Sequence, residues 1–133
     1  GRNSRWLSTM GVCTSAYDPE PAGPSVYYWN GLGMPAQAPG YSYDLILLQY
    51  VLMFCSERSH NSLTYIVNAL ARYGCVLVLE SYAAANSCYT PTLLDEWVAK
   101  LNDYAAHGPY PGQWHLCHRR GRNHMALQFR EIG

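Results

Sequence analysis

The residues best placed for chemistry lie where a Pro/Gly-rich stretch meets the longest apolar run of the chain. Pro39-Gly40-Tyr41-Ser42-Tyr43-Asp44 leads directly into the run from Leu45 to Cys55. If that run is a helix, a nucleophile at Ser42 stands at its N-terminus, where free N–H groups and the positive dipole end favour an anion and a developing oxyanion. Gln37, five residues upstream, has a carboxamide able to donate to the same oxyanion. A plainer role for Ser42 is that of helix N-cap, with Asp44 in the first turn. Cys88-Tyr89 is a rival nucleophile because it also precedes a helix. Cys55, at the far end of its run, faces the dipole end that opposes a thiolate and reads as core.

The elements that must position these residues are read from periodicity and punctuation. From Asp18 to Gly40 the density of Pro and Gly predicts an ordered loop into which Tyr27, Tyr28 and Trp29 pack. The Leu45 to Phe54 run exceeds a usual strand length and predicts a buried central helix. A second helix is expected from Ser62 to Tyr73, capped by Ser59 or Asn61 and stopped by Gly74. Cys75 to Leu79 reads as a buried strand. Pro91 opens a third helix, Thr92 to Ala106, with Leu94, Trp97, Val98 and Leu101 on its inner face and Gly108-Pro109 at its end. Gln113 to Arg119 and His124 to Ile132 read as two strands around a Gly121-Arg122-Asn123 turn, with Met125, Leu127 and Phe129 on one face. Helices first and strands last predict a single α+β domain over residues 1–133: a Pro/Gly-rich segment (1–40), a helical part (41–108) and a C-terminal hairpin (112–133).

Composition narrows the partners. Nine basic against nine acidic side chains leave no formal charge, so nothing global draws the chain to nucleic acid or anionic membranes. Arg119, Arg120 and Arg122 surround the hairpin turn and read as solvated. No apolar run is long enough to cross a bilayer, since even Leu45 to Cys55 contains Gln49 and Tyr50. Five cysteines, an odd number without regular spacing, suit a reducing compartment better than a disulfide scaffold. His115, Cys117, His118 and His124 lack metal-ligand spacing, so no metal is expected. The twelve tyrosines discriminate little between binding surfaces. The chain opens Gly-Arg-Asn-Ser with no initiator Met, which suggests either an excised piece or the inner part of a longer polyprotein.

Gly-Tyr-Ser-Tyr followed by an apolar helix resembles the Gly-Tyr-Cys-Tyr nucleophile motif of papain-like leader proteases of positive-strand RNA viruses, the potyviral, closteroviral and hypoviral kind. The departure falls on the nucleophile, as though Ser42 replaced a catalytic cysteine. The resemblance implies a downstream histidine as general base, and His115 matches it. It also implies one cut of the chain's own C-terminus after a glycine, which here is Gly133, with Ile132 in an apolar groove and the product left in the cleft. No cofactor is implied, the chain's own tail is the substrate, and the expected place of action is the cytoplasm of an infected host cell. Such proteases often accompany silencing suppression. A strand leaving His115 and returning after the turn would bring Gly133 home, whereas the ten residues from His124 onward, at about 3.3 Å each, span little more than one outgoing strand. A half-buried strand histidine is the plainer reading of His115. An alternative of another class is a small secreted, disulfide-containing toxin or effector that acts by binding.

Overall fold

A computed structural model describes residues 2–21, 26–30, 32, 43–81, 94–108 and 110–132. Helix α1 (Arg2–Thr9) is followed by two short strands, β1 (Ala16–Asp18) and β2 (Val26–Tyr28), which pair in parallel. The principal sheet comprises β3 (Tyr43–Gln49), β4 (Ala71–Glu80), β5 (Gly112–Arg120) and β6 (His124–Glu131), in the order β3-β4-β6-β5. Helix α2 (Glu57–Leu70) connects β3 to its parallel neighbour β4, and α3 (Leu94–Ala106) connects β4 to β5. β6 is antiparallel to both its neighbours.

This alternation of strands and helices around a mixed sheet overturns the α+β expectation, and with it the papain-like arrangement of helices packed on a separate antiparallel sheet. The decisive segment is Leu45 to Phe54. It forms a strand and then a short 3-10 turn (Leu52–Phe54), not a central helix. β3 is the edge strand of the described sheet and only Leu48 of it is fully buried, yet Leu45 to Leu48 run apolar on both faces, so a short apolar strand followed by an apolar turn cannot be told by periodicity from a buried helix.

One face of the sheet carries the core. Leu48, Cys75, Leu77, Leu79, Trp114, Met125, Leu127 and Phe129 join Leu63 and Val67 of α2 and Leu94, Trp97, Leu101 and Ala105 of α3 in one buried cluster. Strand alternation puts the next residues along, Leu47, Val78 and Ala126, on the opposite face. Helix α2 begins earlier than its sequence suggests, because the Ser56 hydroxyl accepts a hydrogen bond from the Ser59 N–H and caps it. Gly74 does not stop that helix. It lies inside β4 with φ +94°, where the pairing with β3 jumps from Tyr43↔Ala71 to Leu45↔Val76, and a residue without a Cβ absorbs the bulge.

Polar side chains lock the helices to the sheet. Asn68 Nδ2 donates to the carbonyls of Thr64 and Leu101, both at 3.0 Å, and its Oδ1 accepts the indole N–H of Trp114 at 2.9 Å. Asn102 brackets the Trp114 backbone, its Oδ1 accepting the N–H at 2.7 Å. Arg119 at the hairpin end pairs with Asp95 of α3.

Candidate functional site

Parallel strands β3 and β4 end together, at Gln49 and Glu80, which are register partners. Glu80 is in turn paired with His124, the first residue of β6, and His124 with Arg120, the last of β5. Four polar side chains therefore stand in one row across the whole sheet, on the face opposite the α2–α3 core. The two apolar runs leading into this row explain its position: hydrophobic strands end where the chain leaves the sheet, and the first polar residues fall at its carboxyl edge.

Within the row the Glu80 carboxylate is the hub. Its Oε1 accepts a hydrogen bond from Gln49 Nε2 at 2.6 Å, and its Oε2 accepts one from the Tyr50 hydroxyl at 2.8 Å. His124 Nδ1 stands 3.6 Å from Oε1, at ion-pair distance. Gln49 Oε1 accepts from Asn3 Nδ2 of α1 at 2.8 Å, so α1 reaches the same end of the sheet. The His118 ring meets that of His124 edge to face, with centroids 6.0 Å apart. A network of this kind fixes the direction of each group before any ligand arrives.

The backbone is shaped here as well. Tyr50 has φ +57° and is the one described non-glycine residue with positive φ. A left-handed tyrosine costs on the order of 1 kcal/mol. Its N–H bonded to the Glu80 carbonyl at 2.8 Å and its hydroxyl bonded to the Glu80 carboxylate hold it there. The turn brings a 44 %-exposed ring to the mouth of the site. Ser81 N–H donates to the Asn123 carbonyl at 2.9 Å, tying the exit of β4 to the hairpin turn.

The residues singled out from sequence are placed differently. Gln37, Ser42, Cys88 and Gly133 lie outside the described residues. His115 is inside β5 and pairs with Gln128, which pairs with Val76, which pairs with Leu45. Three inter-strand spacings of about 4.8 Å put His115 roughly 14 Å from Leu45, and no helix start lies between them. Ile132 follows β6 at the amino end of the parallel strands and is exposed. No described residues form a group of three or more histidine, cysteine or acidic side chains able to hold a metal, and no described helix is long and apolar enough to cross a membrane. Cys13, Cys55, Cys75 and Cys117 are all free thiols. Burial raises the Cys55 thiol and pushes Cys75 up to about 12 from the usual 9.0.

No protein-family model and no curated protein sequence matches the chain. Among solved structures it is similar to a TehB-like SAM-dependent methyltransferase from Corynebacterium glutamicum, with a TM-score of 0.68. The superposition covers 99 % of this chain and 75 % of that one, at 13 % sequence identity. The likeness is one of fold. It replaces the viral leader-protease resemblance, and nothing in it supports a cis-cleaving cysteine endopeptidase, a silencing suppressor or a secreted disulfide-bonded effector.

Sequence reasoning missed Gln49, Tyr50, Glu80 and His124 as a group, although a signal for them exists. Each apolar run is closed by a polar pair, Gln49-Tyr50 and Glu80-Ser81. In a parallel sheet such pairs mark the edge where ligands bind.

Proposed function

We propose that this chain acts as a methyltransferase of the S-adenosylmethionine-dependent kind, with its reaction site at the carboxyl ends of β3 and β4. The observation that carries the reading is the Glu80-centred network, standing where open α/β sheets bind ligands, in a fold shared with a SAM-dependent methyltransferase. The donor combines a cationic sulfonium with ribose hydroxyls. A carboxylate suits both the cation and the hydroxyls, and an exposed phenol ring suits the cation. Glu80 and Tyr50 therefore fit the donor and would hold it. When bound, the donor supplies an activated methyl group.

The chain's own residues perform the remaining tasks. Gln49 and Tyr50 orient the Glu80 carboxylate from two sides, so it meets a cation without first reorganising. Asn3 fixes the Gln49 carboxamide. His124 adds an imidazole beside the carboxylate, where a proton can be held.

Calorimetric titration with S-adenosylmethionine, which carries the sulfonium charge, tests the reading. Binding is expected for the native chain and should be at least about tenfold weaker in Glu80→Ala, a loss of about 1.4 kcal/mol or more. Equal affinity in the two proteins, or no heat at millimolar ligand, would overturn it.

A further inference from the structure

The His124 imidazole is an ionisable group that donor binding leaves unused, and its surroundings define what it does. Glu80 faces its Nδ1 from β4 at 3.6 Å. The Tyr50 hydroxyl, from beyond β3, is engaged with the same carboxylate. From β5, His118 approaches the ring and Arg120 is the direct cross-strand partner. A carboxylate on the Nδ1 side favours a proton on that nitrogen, and a neutral imidazole then carries its lone pair on Nε2. The ring is only partly buried, its side chain 34 % exposed, so a small molecule at the carboxyl edge can reach it.

Building on the methyltransferase reading, we propose that Glu80 sets the tautomer of His124 so that Nε2 takes a proton from the methyl acceptor, which makes protic groups (hydroxyl, thiol or protonated oxyacid) the substrate class. In the step His124 performs, the X–H bond breaks and its electron pair stays on X. The proton moves to Nε2, and the imidazolium formed is balanced by the Glu80 carboxylate. X is thereby a full nucleophile when it meets an electrophile. His124 is the proton acceptor, and Glu80 is a positioning residue with respect to this proton.

Two measurements test this. In chain labelled with nitrogen-15 histidine and no donor added, the neutral His124 ring should show its proton on Nδ1. Glu80→Ala should return it toward the Nε2-protonated form that free histidine favours, and Glu80→Gln, which keeps the shape and removes the charge that acts across 3.6 Å, should shift it the same way. A ring protonated on Nε2 in the native chain, or a tautomer unchanged in Glu80→Ala, overturns the proposal. The second measurement supplies tritiated S-adenosylmethionine and 2-mercaptoethanol. His124→Gln should lose on the order of a hundredfold in rate at neutral pH, and the loss should close as the pH rises through the ionisation of this simple thiol, about a unit above the cysteine value of about 8.5. A loss independent of pH overturns the proton-acceptor role. Because the tautomer is read without donor, the predicted tautomer in a chain that binds no S-adenosylmethionine would support the Glu80–His124 pairing and overturn the methyltransferase reading alone.

Discussion

Replacing Asn68 by alanine removes a side chain that joins both long helices to the sheet. Its carboxamide makes three hydrogen bonds of 2.9–3.0 Å, to Thr64, Leu101 and Trp114. The two carbonyls sit in helices α2 and α3 and keep their helical donors, so their loss is small. Trp114 is different. It is 2 % exposed, and its indole N–H would be left without a partner in an apolar setting, at about 1–3 kcal/mol. With the lost packing of the carboxamide, the expected total is about 2–4 kcal/mol, a large part of the roughly 5–15 kcal/mol that stabilises a domain. At a urea dependence of about 2 kcal/mol per molar, the unfolding midpoint should fall by roughly 1–2 M. A double-mutant cycle isolates the bond. In a Trp114→Phe background, which has no indole N–H, Asn68→Ala should cost about 1–2 kcal/mol less than in the native chain. A coupling below about 0.5 kcal/mol would refute the reasoning, because the two substitutions would then be independent.

Two further outcomes follow from packing and burial. An added Cβ at Gly112 would stand 2.3 Å from Phe129 Cζ and 3.0 Å from the Arg130 carbonyl oxygen. Phe129 cannot yield, since its ring lies between Trp114 and Tyr73, so Gly112→Ala should destabilise by about 1–3 kcal/mol in chemical denaturation, and an unchanged midpoint would contradict the placement of that ring. The Cys75 thiol, held neutral up to about 12 by burial against the usual 9.0, gives the folded state more bound protons than the unfolded one between those values. Stability should be full below pH 9 and fall toward pH 12, by at most about 1.4 kcal/mol per unit. In Cys75→Ala that part of the decline should vanish, and an identical decline in both proteins would assign it to other groups.

The sequence showed most of the elements and misassigned the one on which the architecture turns. Leu94, Trp97 and Leu101 recur at helical spacing, and all three are buried in α3 as that spacing requires. Met125, Leu127 and Phe129 alternate, and all three face the core from β6. These elements each show one apolar and one polar face, which is the condition for periodicity to be informative. β3 does not meet it. Leu45 to Leu48 are four apolar residues in succession, and the short turn at Leu52–Phe54 prolongs the apolar run to helical length. The reading of Ser42 as a nucleophile at a helix start depended on that helix and has no support without it. The carboxyl-edge site was hidden for a different reason: the polar pairs that close each run mark the edge, but Gln49, Glu80 and His124 are far apart in the chain and become neighbours only through strand register, which those local pairs do not encode. The strained φ of Tyr50 was invisible for the same reason, being imposed by its two bonds to Glu80.

The central claim is that the carboxyl edge of the β3–β4 pair is the ligand site. Backbone amide shifts recorded by NMR during titration with S-adenosylhomocysteine test it most directly. The largest changes should fall on Gln49, Tyr50, Glu80, Ser81, Asn123 and His124, with His115 and Ile132 little affected. Saturable changes centred instead on the opposite end of the sheet, around Ile132 and the start of β4, would contradict the account.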